Sequence, residues 1–165
     1  MTQANVRGHE AVRLVLDGQS YNNWPPAPSD FRYVLRNALA VPVSNASLDG
    51  FSWTNLTPSI ATRLYPHFVA DWNVHVLNGG QGDLVSGATA AAIYATLSAY
   101  ADNARANGAD RIVALTVMAA SFFYPTGGAL DLKRLAYNAL LVADADRVAV
   151  GQRHVLTGRG NAYAA

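Results

Sequence analysis

The sequence predicts an α/β fold in which helices pack on a mainly parallel sheet of five strands. Short apolar runs alternate with longer helix-like stretches along the whole chain. Glycines close several of these runs, and hydroxyl or carboxylate side chains precede several of the helical patterns, as strand ends and helix caps require. The 165 residues fit one domain, 1–165, with 1–10 as an extended N-terminal arm.

The elements follow from local pattern. Strands are predicted at 12–17, 41–44, 72–77, 111–117 and 147–150, because these segments are short and apolar. Helices are predicted from a cap at Ser29 or Asp30 to Leu39, and at 56–68, 87–107 and 130–143. Ser86 is the expected cap of the longest helix and Gly108 its left-handed stop, so that 86–117 forms a βαβ crossover with the preceding strand. A brief helix is expected after His154.

Composition excludes several classes of function. The chain has 12 Lys and Arg against 11 Asp and Glu, with the basic residues scattered, so no phosphate-binding stripe is expected. It has no cysteine, which excludes disulfides, Cys-ligated zinc and thiol catalysis. No signal-peptide pattern and no apolar run of about 20 residues is present, so a soluble protein is predicted.

No metal site is predicted from the histidines. His75 lies between Val74 and Val76 within a strand pattern, which is typical of a half-buried structural residue, and His9 and His67 lack partners at metal-ligand spacing.

The segment after the first strand carries the strongest chemical signal. The apolar run at 14–16 ends in Asp17-Gly18-Gln19-Ser20, and a glycine there lets the backbone turn at the carboxyl end of a strand. Open α/β sheets bind their ligands at this edge. Gly50 and the 79–83 turn follow the next two strands, so all three segments are expected to meet.

These segments resemble the SGNH hydrolases, also called GDSL esterases and lipases, over most of the chain. Asp17-Gly18-Gln19-Ser20 is similar to the first family block, with Ser20 as nucleophile and Gln19 in place of the usual Asp, as in some carbohydrate acetyl esterases. The stretch 45–50 is similar to the second block, in which the Gly50 amide donates to the oxyanion. The resemblance implies a flavodoxin-like three-layer α/β/α sandwich.

The third and fourth blocks depart from the family pattern. In Gly80-Gln81-Gly82-Asp83, Gly82 replaces the family's Asn, which leaves an oxyanion hole made of backbone amides at Ser20, Gly50 and Gly82. The stretch 154–161 resembles the block that holds the catalytic His, here His154, but Gly151 replaces the Asp three residues before it. A backbone carbonyl, Asp49, Asp144 or Asp146 stays open as the group that orients His154.

Two functions stay open at this stage. The resemblance implies a serine esterase with a Ser20–His154 dyad and no cofactor, acting on a small ester or an acetylated carbohydrate. Asp17, Gln19 and Asp83 would then line the substrate cleft or support the residues that line it. The alternative is a catalytically lapsed SGNH-like binding or structural module, for example in a bacteriophage particle. The expected location is the cytoplasm or a virion, and a homo-oligomer or an assembly in a larger particle stays open. Neither nucleic acid nor a membrane is an expected partner.

Six aromatic residues are predicted to cluster at this edge, where they would shape a cleft or an interaction patch. They are Tyr21, Trp24, Trp53, Phe122, Phe123 and Tyr124.

Overall fold

A computed structural model describes residues 12–18, 31–70, 72–119, 126–148 and 153–156. Its five parallel strands form one sheet in the order β2-β1-β3-β4-β5. They are β1 (Val12–Gly18), β2 (Val43–Asn45), β3 (Trp72–Asn78), β4 (Arg111–Leu115) and β5 (Arg153–Leu156). This is the strand order of the flavodoxin-like folds. The predicted fold class is confirmed.

Helices connect the strands. They are α1 (Phe31–Leu39), α2 (Trp53–Leu56), α3 (Ile60–Arg63), α4 (Gln81–Val85), α5 (Ala90–Ala106) and α6 (Ala129–Val148), with 3₁₀ turns at Thr57–Ser59 and Tyr65–His67. The two seven-residue strands β1 and β3 lie side by side at the centre, whereas the three-residue β2 and the four-residue β5 form the edges.

The main core lies between one face of the sheet and the helices. Because side chains alternate along a strand, the paired residues Val15, His75 and Ile112 all project from this face. Apolar side chains from four helices pack with Val15 and Ile112, among them Leu56, Ile60, Leu97 and Leu141. Burial of this face fixes the register, since a one-residue slip would turn every side chain outward.

The helix predicted at 56–68 is divided in the structure. The chain forms α2, a 3₁₀ turn, α3 and a second 3₁₀ turn, with Pro58 and Pro66 near the start of the two turns. A proline has no N–H to donate to the preceding turn, so the apolar periodicity continues while the helix does not.

Two further boundaries differ from the prediction. Residues 147–148 belong to α6, and the last strand is Arg153–Leu156 rather than 147–150. The long helix α5 is capped by Thr89, whose side chain accepts from the Ala92 N–H at 3.2 Å. Ser86 instead donates to the Gly82 carbonyl at 2.7 Å, because Gly87 at φ +92° separates α4 from α5. Gly108 has the predicted left-handed conformation, at φ +119°.

Within the described part of the chain, no helix is both long and apolar enough to cross a membrane.

Candidate active site at the carboxyl edge of the sheet

Gly18 ends β1 in a conformation and a position that only glycine fits. Its φ is +127°, and a Cβ atom there would lie 2.0 Å from the Asn78 carbonyl oxygen at the end of β3. Side-chain contact at that distance is impossible, so the two central strands finish in direct backbone contact.

The segment after β2 is attached to the end of β1. The Ala46 N–H donates to the Leu16 carbonyl at 2.8 Å, and the Leu48 N–H donates to the Gly18 carbonyl at 3.1 Å. Gly50 follows at φ +74°, with open space where a Cβ atom would lie. The predicted oxyanion donor at Gly50 therefore lies two residues beyond a backbone anchor on β1.

The segment after β3 is held against aromatic rings. A Cβ atom at Gly79 would lie 2.7 Å from Cζ2 of Trp53, and one at Gly80 would lie 2.8 Å from Cε1 of Tyr137. Gly80 also has a φ of +106° and immediately precedes α4. Gly82 is the second residue of α4, in the first turn, where helix amides have no acceptor within their own helix.

Asp83 joins the segments that follow β2 and β3. Its side chain is buried and accepts from the N–H of Trp53, the first residue of α2, at 3.0 Å. Burial raises the pKa of Asp83, although backbone N–H groups that donate to it act in the opposite direction. The predicted role of Asp83 around the cleft is thus accompanied by a structural one.

A buried charged cluster lies directly beneath the end of β1. Asp17 has no exposed surface, and it accepts from the Gly18 N–H at 2.8 Å. Arg63 of α3 approaches with Nη1 2.5 Å from Oδ1 and Nη2 3.3 Å from Oδ2. The Tyr100 hydroxyl of α5 donates to Oδ2, and Arg63 also donates to Tyr100 and to the Ala46 carbonyl.

The cluster favours a charged carboxylate at Asp17. Burial raises the pKa of Asp17, but the nearby His75 ring and the Arg63 guanidinium together hold it below its ordinary value. For Arg63, burial lowers the pKa, but the contacts with Asp17 and Tyr100 outweigh burial and raise the pKa above its usual value. Burial and the Asp17 carboxylate raise the pKa of Tyr100, which stays neutral.

His75 completes this cluster from β3. The side chain is fully buried rather than half-buried as predicted, and Nε2 lies 3.5 Å from Oδ2 of Asp17. At that separation the contact is electrostatic rather than a well-formed hydrogen bond. Among the described residues neither ring nitrogen of His75 has a hydrogen-bond partner.

The sequence did not indicate this cluster. Arg63 and Tyr100 are 46 and 83 residues from Asp17 along the chain, and both were absent from the predicted site. The available signal was a carboxylate directly after the apolar run at 14–16, because a charge buried there requires a partner.

The predicted site residues fall on both sides of the described boundary. Asp17, Gly50, Gly82 and Asp83 lie on the carboxyl edge as predicted, whereas Gln19 and Ser20 lie outside the described residues. Of the aromatic residues predicted at the edge, Trp53 does lie there, with its ring against Gly79, but it is 1% exposed and belongs to the core, so it is not part of a surface patch. The other five lie outside the described residues.

His154 lies within β5, where its backbone position is defined by the sheet. It pairs with Val113, which pairs with Val76, which pairs with Leu16. The His154 backbone is therefore level with a residue two positions before Gly18 and three strands away from β1. At about 4.8 Å per strand, the lateral separation is about 14 Å.

In the described ranges, no group of three or more His, Asp or Glu side chains is arranged to hold a metal ion. A cavity of about 20 Å³ lies between β3, β4, α5 and α6, with Ser98 and Asp144 among its lining residues. It is large enough for one water molecule and far too small for an ester substrate. The candidate substrate-binding site is therefore the carboxyl edge of the sheet rather than this cavity.

Comparison with known proteins gives fold neighbours. No family model and no curated protein sequence matches the chain. A solved lipolytic protein of the G-D-S-L family from Veillonella parvula superposes with a TM-score of 0.73 at 19% identity, covering 87% of this chain and 76% of that one. The acetyl xylan esterase AlAXEase superposes with a TM-score of 0.70 at 14% identity, covering 87% of this chain and 77% of that one. TesA superposes with a TM-score of 0.63 at 21% identity, covering 82% of this chain and 73% of that one. Likeness at these identities establishes the fold, which is that of the SGNH hydrolases.

Proposed function

We propose that this chain, which has the SGNH-hydrolase fold, is a serine ester hydrolase with Ser20 as nucleophile and His154 as general base. One observation carries the proposal: the end of β1 is held in contact with the end of β3 and with the segment after β2, which is itself joined to the segment after β3, at the carboxyl edge. The Leu48 N–H donates to the Gly18 carbonyl, and the Trp53 N–H donates to the Asp83 carboxylate. The backbone of Gly18 packs against the Asn78 carbonyl. Pre-organised edges of this kind are where α/β folds place their chemistry.

The proposed reaction proceeds through an acyl-enzyme. The Ser20 hydroxyl attacks the acyl carbonyl while His154 takes its proton, and the backbone amides of Ser20, Gly50 and Gly82 stabilise the oxyanion. His154 then returns the proton to the alcohol as the ester C–O bond breaks. Water, deprotonated by His154, releases the acid and restores Ser20.

The backbone supports the proposed oxyanion hole at two of its three positions. Gly50 is exposed, and Gly82 lies in the first turn of α4, where helix amides have no acceptor within their own helix. The site would work without the side-chain amide that Asn supplies in the family. Loss of one oxyanion donor typically lowers turnover about 100- to 1000-fold, so slow catalysis is expected.

The proposed substrate is a small acyl ester, such as an acetyl group on a carbohydrate. The Gly18-Gln19-Ser20 sequence resembles carbohydrate acetyl esterases, and one of the fold neighbours is an acetyl xylan esterase. With no cysteine in the chain, the proposed acyl-enzyme is an ester on Ser20.

The position of His154 favours a second candidate, a non-catalytic SGNH-like binding or structural module. A Ser-His pair requires about 2.6 to 3.2 Å between the reacting atoms. The His154 backbone is three strands from β1 and within β5 rather than beyond it. The hydrolase thus requires the segment at 19–20 to extend along the edge toward β5, whereas the module requires no such approach.

Labelling with a fluorophosphonate, mapped by peptide mass spectrometry, separates the two candidates. The hydrolase predicts label on Ser20 that disappears in Ser20→Ala and in His154→Ala. His67→Ala is the matched control, since His67 lies in a 3₁₀ turn remote from the proposed chemistry, and it should keep the label. Circular dichroism confirms that each variant is folded.

Each result assigns a role. Label retained in His154→Ala but lost in Ser20→Ala would keep the esterase and reject His154 as its base. An unlabelled, folded parent protein whose Ser20 peptide is accessible would reject the esterase in favour of the non-catalytic module.

A further inference from the structure

The Arg63 side chain of α3 holds two segments of the carboxyl edge together. Its Nη1 donates to Oδ1 of Asp17 at 2.5 Å and to the Ala46 carbonyl, and its Nη2 lies 3.3 Å from Oδ2 of Asp17 and donates to the Tyr100 hydroxyl. Its Nε lies 3.4 Å from Oγ of Ser59, one turn earlier in the chain. All three guanidinium nitrogens are therefore engaged, and the planar fork fixes its acceptors in one arrangement.

The two segments joined by Arg63 lead to two of the proposed oxyanion donors. Asp17 is three residues before Ser20, and Ala46 is four residues before Gly50. The strand β2, which ends directly before Ala46, has only three residues and lies at the edge of the sheet beside β1. A strand this short gives the segment after it little support, and Arg63 adds a hydrogen bond from the helix layer.

We infer that Arg63 is a positioning residue of the proposed esterase, on whose function this inference rests: it fixes the separation between the segments that carry the Ser20 and Gly50 amides. Oxyanion donors act within about 2.7–3.1 Å of the charged oxygen, and a displacement of about 1 Å can lower the rate about 100-fold. Because the oxyanion forms only on the way to the tetrahedral intermediate, this link matters for the transition state more than for substrate binding.

The chemistry of the link favours positioning over stability alone. Apolar side chains packed in place of a buried ion pair often give equal or greater stability. Such packing has no direction, whereas the guanidinium aims its N–H bonds at two carboxylate oxygens and one backbone carbonyl. The side chain of Arg63 is 11% exposed and that of Asp17 0%, so solvent weakens these bonds little.

Two substitutions separate positioning from stability. Arg63→Lys keeps a positive charge beside Asp17 but loses the fork, because an ammonium cannot hold both acceptors in one plane. Arg63→Ala leaves the buried Asp17 carboxylate without that counter-charge, so its urea midpoint should fall well below those of the parent and of Arg63→Lys. With 4-nitrophenyl acetate as the substrate, Arg63→Lys should lower kcat about 10- to 100-fold and change KM less than about 3-fold.

The matched control is Arg105→Lys. It makes the same substitution in the surface ion pair of Arg105 with Asp102 on α5, and kcat should be unchanged. A purely structural role for Arg63 would lower kcat only in proportion to stability, so Arg63→Lys would recover both together. The positioning role predicts that Arg63→Lys recovers stability relative to Arg63→Ala but does not recover kcat.

Amide hydrogen exchange tests the link without reference to activity. The Ala46 and Leu48 N–H groups donate to carbonyls of β1, and in Arg63→Lys they should exchange about 10-fold faster than in the parent. The Asp110 N–H, which donates to the Asn73 carbonyl at the opposite edge of the sheet, is the control and should not change. Unchanged exchange at Ala46 and Leu48 would overturn the inference.

The activity outcomes separate this inference from the proposed function. A folded parent that takes no fluorophosphonate label on an accessible Ser20 and does not hydrolyse the ester would reject the esterase, and the positioning role with it. An active parent whose Arg63→Lys variant keeps kcat within about 2-fold would reject the positioning role alone. A lower kcat in Arg63→Lys with a urea midpoint as low as that of Arg63→Ala would assign Arg63 a structural role only.

Discussion

The Arg63 guanidinium donates to both oxygens of the Asp17 carboxylate, at 2.5 and 3.3 Å, and the Asp17 side chain is fully buried. This ion pair ties α3 to the end of β1, immediately before the residue that turns the chain toward Ser20. Arg63 also donates to the Ala46 carbonyl, so a single side chain joins the end of β1 to the segment that follows β2.

Breaking this pair should be costly. Asp17→Asn leaves the Arg63 charge buried without a counter-charge, and a loss of about 3–5 kcal/mol in the free energy of unfolding is expected. Asp102→Asn is the matched control, because the exposed Asp102–Arg105 pair at 3.3 Å should contribute less than about 1 kcal/mol. Urea denaturation of both variants checks the prediction; similar losses would show that the buried pair carries no special weight.

Acid should remove part of this stabilisation. The pKa of Asp17 is lowered in the folded state, so the folded protein binds fewer protons here than the unfolded chain, and stability falls as the pH drops from about 4 downward. Asp83, whose pKa is raised by burial, contributes with the opposite sign. The difference in unfolding free energy between parent and Asp17→Asn isolates the Asp17 contribution, and it should shrink below pH 4. A difference independent of pH would contradict the assignment.

Gly18 should tolerate no side chain. Gly18→Ala combines the +127° φ with a Cβ atom 2.0 Å from the Asn78 carbonyl oxygen, and a loss of at least about 4 kcal/mol is expected. Gly50→Ala has a positive φ of +74° but open space, so it should cost only about 1–2 kcal/mol. Thermal unfolding of the two variants tests whether the contact or the backbone conformation dominates, since equal losses would assign the effect to conformation alone.

Gly79 and Trp53 should be coupled. A Cβ atom at Gly79 meets Cζ2 of the Trp53 indole at 2.7 Å, and Gly79 has no positive φ to add a second penalty. Gly79→Ala should therefore destabilise the fold through this contact, and Trp53→Phe removes the part of the ring that is contacted. The double variant should recover about 1–3 kcal/mol of unfolding free energy relative to the sum of the two single changes. A double-mutant cycle measures this recovery, and strict additivity would mean that the segment moves away from the ring.

The fold was predictable where local pattern and turn chemistry agree. β1 and β3 are short apolar runs that end at glycines, and Gly108 stops α5 as its position predicts. Two errors came from competing local signals, since Pro58 interrupts a continuous apolar periodicity, and Thr89 rather than Ser86 caps α5. In each case the local sequence is compatible with two helix boundaries, and tertiary packing determines which of the two forms.

The candidate site was predictable only in outline. Gly18, Gly50 and Gly80 could be assigned to one edge because parallel strands end together. The side-chain contacts that hold this edge together could not be predicted. Arg63 and Tyr100, and the hydrogen bond between Trp53 and Asp83, join residues that lie far apart in sequence. Such contacts depend on the path of the whole chain rather than on spacing within a motif.

The placement of the shortest strands at the two margins of the sheet limits how this protein can aggregate. Unpaired backbone groups on an edge strand are a template on which another chain can add a strand. With only three residues in β2 and four in β5, that template is short on either side, and the long strands most prone to such pairing are enclosed. Fibre-like growth through the sheet is accordingly disfavoured, because a second chain could pair with only a few residues at either margin.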